Sequence, residues 1–153
     1  MDISYCIASI DDLMIITELW DLMCSTEEHC GEDEYDEILN MSRDVLMNPE
    51  KAIFIAFDEG KAVGYSYVLI KHERSFSDEH GPYGFLDTIY VRPDYRRQGI
   101  AQTLVVMCED WSRKKGCIEF ASCCDLDNKR SFAFHIGIGF KELHRIIHFS
   151  KEL

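Results

Sequence analysis

The first 42 residues, Met1 to Ser42, contain neither lysine nor arginine. They hold 12 of the 28 acids, so the 16 acids that follow are balanced by 16 bases and the net charge of −12 belongs to the first quarter of the chain. Such a field repels phosphate, which argues against nucleic acid as a partner. It favours a cationic ligand if it borders a cleft; a solvated acidic face is the plain alternative. No apolar run approaches the ~20 residues of a membrane-crossing helix. The opening MDISYCIASIDD carries acid where an export signal carries base. The expectation is a cytoplasmic protein with no membrane partner. A cysteine framework is also lacking: the seven cysteines are odd in number and irregularly spaced, which reads as reduced thiols. Cys24, His29, Cys30, Cys117, Cys123 and Cys124 form no C-x-x-C pair, so no metal site is expected.

The common nucleotide motifs are missing too. There is no G-x-x-x-x-G-K-[ST], and Gly137-Ile138-Gly139 lacks the third glycine of the dinucleotide fingerprint. What stands instead is FLDTIYVRPDYRRQGIA, Phe85 to Ala101. It opens as an apolar strand with Asp87 in its middle, breaks at Pro93-Asp94, and leads through two arginines into Gln98-Gly99-Ile100-Ala101. Ile100, Leu104, Cys108 and Trp111 then recur at helical spacing. A strand therefore delivers the chain to small residues at a helix start, where unpaired N–H groups and the positive end of the helix dipole point one way. That arrangement binds phosphate.

Arg96-x-x-Gly99-x-Ala101, after Ile89-Tyr90-Val91-Arg92-Pro93, resembles the acyl-CoA signature R/Q-x-x-G-x-G/A of the GNAT N-acetyltransferases. Asn128-x-x-Ser131-x-x-Phe134-His135, followed by Ile138-Gly139-Phe140, is similar to the second landmark of that superfamily. From Gly84 onward the chain most resembles the aminoglycoside 6'-N-acetyltransferases. The residues that carry this are FLDTIYVRPDYRRQGIA, Trp111, Lys115-Gly116-Cys117-x-Glu119-x-Ala121-Ser122, Asn128, Ser131, His135, Gly139-Phe140, Arg145 and Phe149-Ser150-Lys151.

With 153 residues, 46% hydrophobic and 29% charged, the chain reads as one globular domain, 1–153, with a real core. Ile3 to Ala8 alternates as a strand. Ser9 with Asp12 forms a capping-box pattern ahead of a helical stripe at Leu13, Ile16, Trp20 and Met23. Glu27, Glu28, Glu32, Asp33, Glu34, Asp36 and Glu37 crowd a loop around Gly31 that runs into a helix from Tyr35 to Met47. Strands follow at 52–57 and 62–70 about a Glu59-Gly60 turn, with Gly64 hinting at a bulge or close approach. After the central strand come a helix over 99–115, a strand over 118–122, a helix over 129–136 and a last strand over 142–149. The order β-α-α-β-β-β-α-β-α-β is a mixed α/β (α+β) sheet domain, as the GNAT fold shows.

The resemblance implies acetyl transfer from acetyl-CoA, a cosubstrate, to an amine, with no metal. The backbone of Ile89, Tyr90 and Val91 would pair with the pantetheine arm like an added strand. Amides of Arg97, Gln98, Gly99, Ile100 and Ala101 would hold the pyrophosphate, with Arg96 or Arg97 adding charge, and Asn128 would bond the pantetheine chain. Asp87 can position a cationic amine and take its proton. His135 stands where the family has an acidic tyrosine and can donate when protonated; Tyr90 and Tyr65 are alternative donors. Trp20, core by its stripe, and Tyr65 match aromatic positions that flank the drug in those enzymes. Departures accompany the likeness. Asp87 replaces a glutamate, Cys123 and Cys124 stand where a drug-contacting aspartate follows Ala-Ser, and His144 replaces a further acid. Polyamine, other small-amine and protein lysine or N-terminal acceptors stay open, as does a homodimer.

Overall fold

The computed structural model describes residues 2–26, 34–77 and 80–153; the crowded acids Glu27 to Asp33 lie outside them. β1 (Ile3–Ile7) leads to Ser9, whose amide donates to Asp12 Oδ2 at 2.8 Å while Ser9 Oγ accepts from the Asp11 amide. The capping box therefore forms, but it closes a short 3₁₀ turn that feeds α1 (Leu13–Thr26). α2 (Tyr35–Met47) has the limits its apolar spacing predicts. β2 (Lys51–Asp58) and β3 (Lys61–Lys71) are joined through Glu59 and Gly60 at φ 47° and 83°, the left-handed pair that a two-residue hairpin turn requires. β4 (Tyr83–Val91), α3 (Ile100–Lys114), β5 (Phe120–Ser122) and α4 (Lys129–Gly137) follow.

The strands lie in the order β1-β2-β3-β4-β5, antiparallel except for the parallel β4–β5 pair. Ala52 to Ala56 are all buried, because helices cover both faces of the sheet. On one face Phe54, Val63, Val68 and Leu86 meet Ile100, Leu104, Val105 and Cys108 of α3. On the other Ile53, Ile55, Tyr65, Tyr67 and Tyr90 meet Ile16, Leu19 and Trp20 of α1 and Ile38 and Val45 of α2. Each fully buried aliphatic side chain contributes on the order of 1.5–3 kcal/mol. Gly64 is a close-approach position: a Cβ there would stand 2.7 Å from the Tyr90 carbonyl oxygen.

The last expected strand does not form. Among residues 141–153 there is no strand, and Ile146, Ile147 and Phe149 are exposed at 71, 75 and 90%. Alternation suits a strand, but a strand needs an edge to pair with, and among the described residues the segment pairs with none. The preceding strand is also shorter than expected, beginning at Phe120, with Ile118 exposed.

Candidate active site

β4 and β5 pair only through Gly84–Phe120, Phe85–Ala121 and Leu86–Ser122. β5 ends at Ser122, so beyond Leu86 only β4 continues as a strand, an opening called the fork below, and among the described residues no strand occupies that edge of β4 from Asp87 to Val91. At the same point β4 bulges against β3: Tyr67 faces Thr88 and Val68 faces Leu86, which leaves Asp87 as the extra residue. A bulge turns a side chain out of the pleat and interrupts the ladder. Asp87 is accordingly exposed, with its carboxylate accepting from Thr88 Oγ1 at 2.9 Å.

Its charge is felt by its neighbours. Burial, then Asp87 and then Asp44, push the Tyr67 phenol well above the ordinary tyrosine range. Partial cover of the thiol, then Asp87, hold Cys123 above the usual cysteine value, against a smaller opposing pull from Lys71. Cys123 is an exposed residue beside the fork. Asp87, Tyr67, Asp44, Lys71 and Cys123 thus share one electrostatic neighbourhood.

At the far end of β4 the chain passes a 3₁₀ turn, Pro93–Tyr95, and reaches the head of α3. Arg96 Nε donates to the Val91 carbonyl at 2.8 Å, and its guanidinium lies 6.0 Å from the Tyr90 ring centre, so this arginine ties the turn to the strand. Arg97 is exposed and left-handed at φ 64°. Strain of that kind costs about 1–3 kcal/mol and gathers at functional sites. Gly99, the residue before α3, has φ 80° and no side chain to cap the helix; a Cβ on it would meet nothing within 4 Å. The first amides of α3, at Ile100 and Ala101, therefore head an uncapped helix facing open space, which is the geometry that takes a phosphate. Gln98 is exposed, its side-chain amide 3.4 Å from the Asp94 carbonyl. The residues present fit a diphosphate carrying an extended arm that runs back along β4.

The remaining expected site residues lie as follows. Asn128 caps α4, its Oδ1 accepting from the Ser131 amide at 3.0 Å. His135 does not point openly into the fork: Nε2 is 2.8 Å from Ser122 Oγ, and Nδ1 is 2.7 Å from the Ser131 carbonyl oxygen. Tyr65 is fully buried with its hydroxyl on Met23 Sδ, and Trp20 is packed 6.4 and 6.3 Å from the Tyr65 and Tyr67 rings. Both belong to the aromatic layer beneath α1, and neither stands as an open platform. Tyr90 is also buried, its hydroxyl 3.4 Å from Thr26 Oγ1. The structure thus brings Asp87 and Cys123 together at the fork and gathers Arg96 to Ala101 at the other end of β4. Ile89, Tyr90 and Val91 span the distance between. His144 rests against Phe76 at 5.7 Å.

Sequence reasoning gave no site role to Ser122, Tyr67 or Asp44. Tyr67 is visible as one of the alternating apolar positions of β3, but the nearness of Asp87 to it follows only once the bulge is seen. Among the described residues no group of three or more potential metal ligands is assembled; His29 lies outside them.

The short parallel pair, the open edge of β4 and the uncapped head of α3 together suit a ligand with a diphosphate and an extended arm. The family model described as Acetyltransferase (GNAT) family matches residues 14–140, and this chain belongs to that family. It is 38% identical to an aminoglycoside N(6')-acetyltransferase type 1 of Acinetobacter genomosp. 13, over 78% of this chain and 84% of that one. A protein of the same name from Acinetobacter baumannii is 34% identical, over 79 and 84% of the two chains. Among solved structures, aminoglycoside N-acetyltransferase AAC(6')-Iy in complex with CoA superimposes with a TM-score of 0.88 at 27% identity, covering 99% of this chain and 96% of that one. AAC(6')-IG of Acinetobacter haemolyticus gives 0.85 at 31% identity, over 100 and 99%.

Proposed function

We propose that this enzyme transfers the acetyl group of acetyl-CoA to the 6'-amine of an aminoglycoside. The observation that carries the reading is the open edge of β4 running from Asp87 at the fork to the uncapped head of α3. A thioester arm laid along Ile89, Tyr90 and Val91 would present its carbonyl at the fork and its diphosphate to the amides of Arg97 to Ala101. Arg97 is the nearer source of added phosphate charge, since Arg96 is occupied with Val91. Asn128, at the head of α4, would bond the pantetheine chain.

In this reading the ammonium group of the drug docks on the Asp87 carboxylate, which orients it and accepts a proton, directly or through water. The neutral amine attacks the thioester carbonyl, the C–S bond breaks as the C–N bond forms, and the proton released by the amine balances the departing thiolate. Backbone N–H groups near Ile89 or Tyr90 polarise the carbonyl. The likeness to the aminoglycoside 6'-N-acetyltransferases in name and fold supports the acceptor, as does the acidic first quarter. The exposed Cys123 and the Asp87–Tyr67 neighbourhood stand as the acceptor-facing side. A cytoplasmic location belongs to the same reading. Its support is that Cys6, Cys108, Cys117, Cys123 and Cys124 are thiols outside any disulfide, and that no helix among the described residues is long and apolar enough to cross a membrane.

Thiol release from acetyl-CoA, measured with kanamycin-type drugs, spermidine and lysine peptides, tests the acceptor. Turnover confined to drugs with a free 6'-amine is expected. Turnover with spermidine or peptide alone would discard the drug and keep the acetyltransferase. We also propose that the enzyme works as a homodimer, for which the exposed apolar run at Ile146, Ile147 and Phe149 is the support. Sedimentation at micromolar concentration should give twice the chain mass of 17.8 kDa, and a monomer would refute it.

A further inference from the structure

The apex of the fork is held by two side chains in series, running between two backbone carbonyls. Ser122 Oγ lies 3.0 Å from the Leu86 carbonyl oxygen, bridging β5 to β4 at their last paired position. His135 Nε2 stands 2.8 Å from that same hydroxyl. His135 Nδ1 stands 2.7 Å from the Ser131 carbonyl oxygen, one helical turn back in α4. A carbonyl can only accept, so Nδ1 carries a hydrogen and donates it. The ring is also gripped at its edges by Phe134 and Phe140, with centres 5.8 and 5.1 Å away. Phe140 in turn packs on Phe120 of β5 at 5.7 Å.

Both ring nitrogens are therefore committed to the protein. The Ser122 hydroxyl has a single hydrogen to place between Leu86 O and Nε2, so any proton on Nε2 faces an oxygen already in the chain, and the ring has no nitrogen left over for a departing sulfur. The ring cannot turn to reach one without giving up two bonds and its aromatic packing. Its position, however, decides where Ser122 sits, and Ser122 sits next to the bulge that turns Asp87 outward.

We propose that His135 is a positioning residue. By holding the Ser122 side chain against the end of the β4–β5 pairing it sets the opening of the fork, and it does not protonate the leaving thiolate. The inference rests on the acetyl-CoA reading of the fork. It stands against the expectation that His135, in place of a tyrosine, is the acid.

A kinetic split decides the matter. His135→Gln keeps an amide near the Nε2 position, able to reach Ser122 but unable to act as an acid–base group. Its turnover should stay within about threefold of the unmodified enzyme, since the loss of a general acid lowers turnover by about 10²–10⁴. His135→Leu, which leaves Ser122 unsupported, should raise KM for acetyl-CoA about tenfold with a smaller change in kcat. Ser122→Ala should do the same, and the double variant should be no worse than either single one, because the two residues act through one chain of bonds. Turnover of His135→Gln that drops about 100-fold or more at unchanged KM would overturn the proposal. Effects of His135→Leu and Ser122→Ala that multiply would overturn it as well. If His135→Leu does not fold, the Gln and Ser122 variants still decide. Calorimetry of the unmodified enzyme with CoA separates the two levels: no binding would defeat the acetyl-CoA reading. The Ser122–His135 bond is then read independently, by a change in the ¹⁵N signal of His135 Nε2 on Ser122→Ala. An unchanged signal would remove the bond on which the proposal stands.

Discussion

The two ends of β4 are built by different means. The α3 end is a main-chain site: left-handed Arg97 and Gly99, an uncapped helix and an open strand edge, with Arg96 spent on holding the turn to Val91. The fork end is a side-chain site: Asp87 on a bulge, with Tyr67, Cys123 and Ser122 around it. A main-chain site suits a ligand part that never changes, such as a coenzyme diphosphate, because amides tolerate substitution of the side chains they carry. A side-chain site can be retuned residue by residue, which suits a variable acceptor. The departures that the resemblance implies, at Asp87, Cys123, Cys124 and His144, all fall outside the main-chain site.

The largest expected effect tests that division directly. Asp87→Asn should lower turnover by about 10²–10³, in the range for loss of a general base, while KM for acetyl-CoA stays within about twofold. Steady-state kinetics with both substrates varied measures the two together, and an equal loss in both would show that Asp87 supports the fold of β4 and takes no part in the chemistry. The opposite pattern is expected at the other end. Gly99→Val places a β-branched residue at φ 80° and a side chain in the space before the α3 amides. The strain alone is about 1–3 kcal/mol. Acetyl-CoA affinity by calorimetry should fall about tenfold or more, with turnover at saturation far less affected. Unchanged affinity would mean that the diphosphate does not lie on the head of α3.

The same division explains what could be read from residues alone. The turn from Arg96 to Ala101 is legible because its demands are local: a glycine at a left-handed position, a helix start, a strand that stops at proline. The limits of α2 and the Glu59-Gly60 hairpin are legible for the same reason. The bulge at Asp87 is not, because a bulge exists only in the register of two strands, and nothing in FLDTIYV marks which residue is skipped. The bond from Ser122 to His135 joins residues 13 apart across a loop, and only the packing of α4 on the fork reveals it. The run from Glu142 to Phe149 reads as a strand because alternation describes only half of a pair, and among the described residues no strand pairs with it. Trp20 follows the helical stripe into the core, as its spacing implies, and burial withdraws it and Tyr65 from the open surface.

The smallest effect is the most local measure of the fork. Asp87 is a negative charge that raises the Cys123 thiol, second to partial burial. Thiolate is the reactive form, so the charge slows alkylation. The sign for Asp87→Asn follows: the charge is lost, the thiol pKa moves down toward its ordinary value, and more thiolate is present at about pH 8. Iodoacetamide modification of Cys123, followed by peptide mass spectrometry, should accelerate about two- to threefold in the variant, while Cys6, beside Asp12 on β1, should keep its rate. Cys123 reacting at the same rate in both proteins would place its thiol outside the reach of Asp87. The acceptor side of the fork would then lose the electrostatic link that joins β4 to the residue following β5.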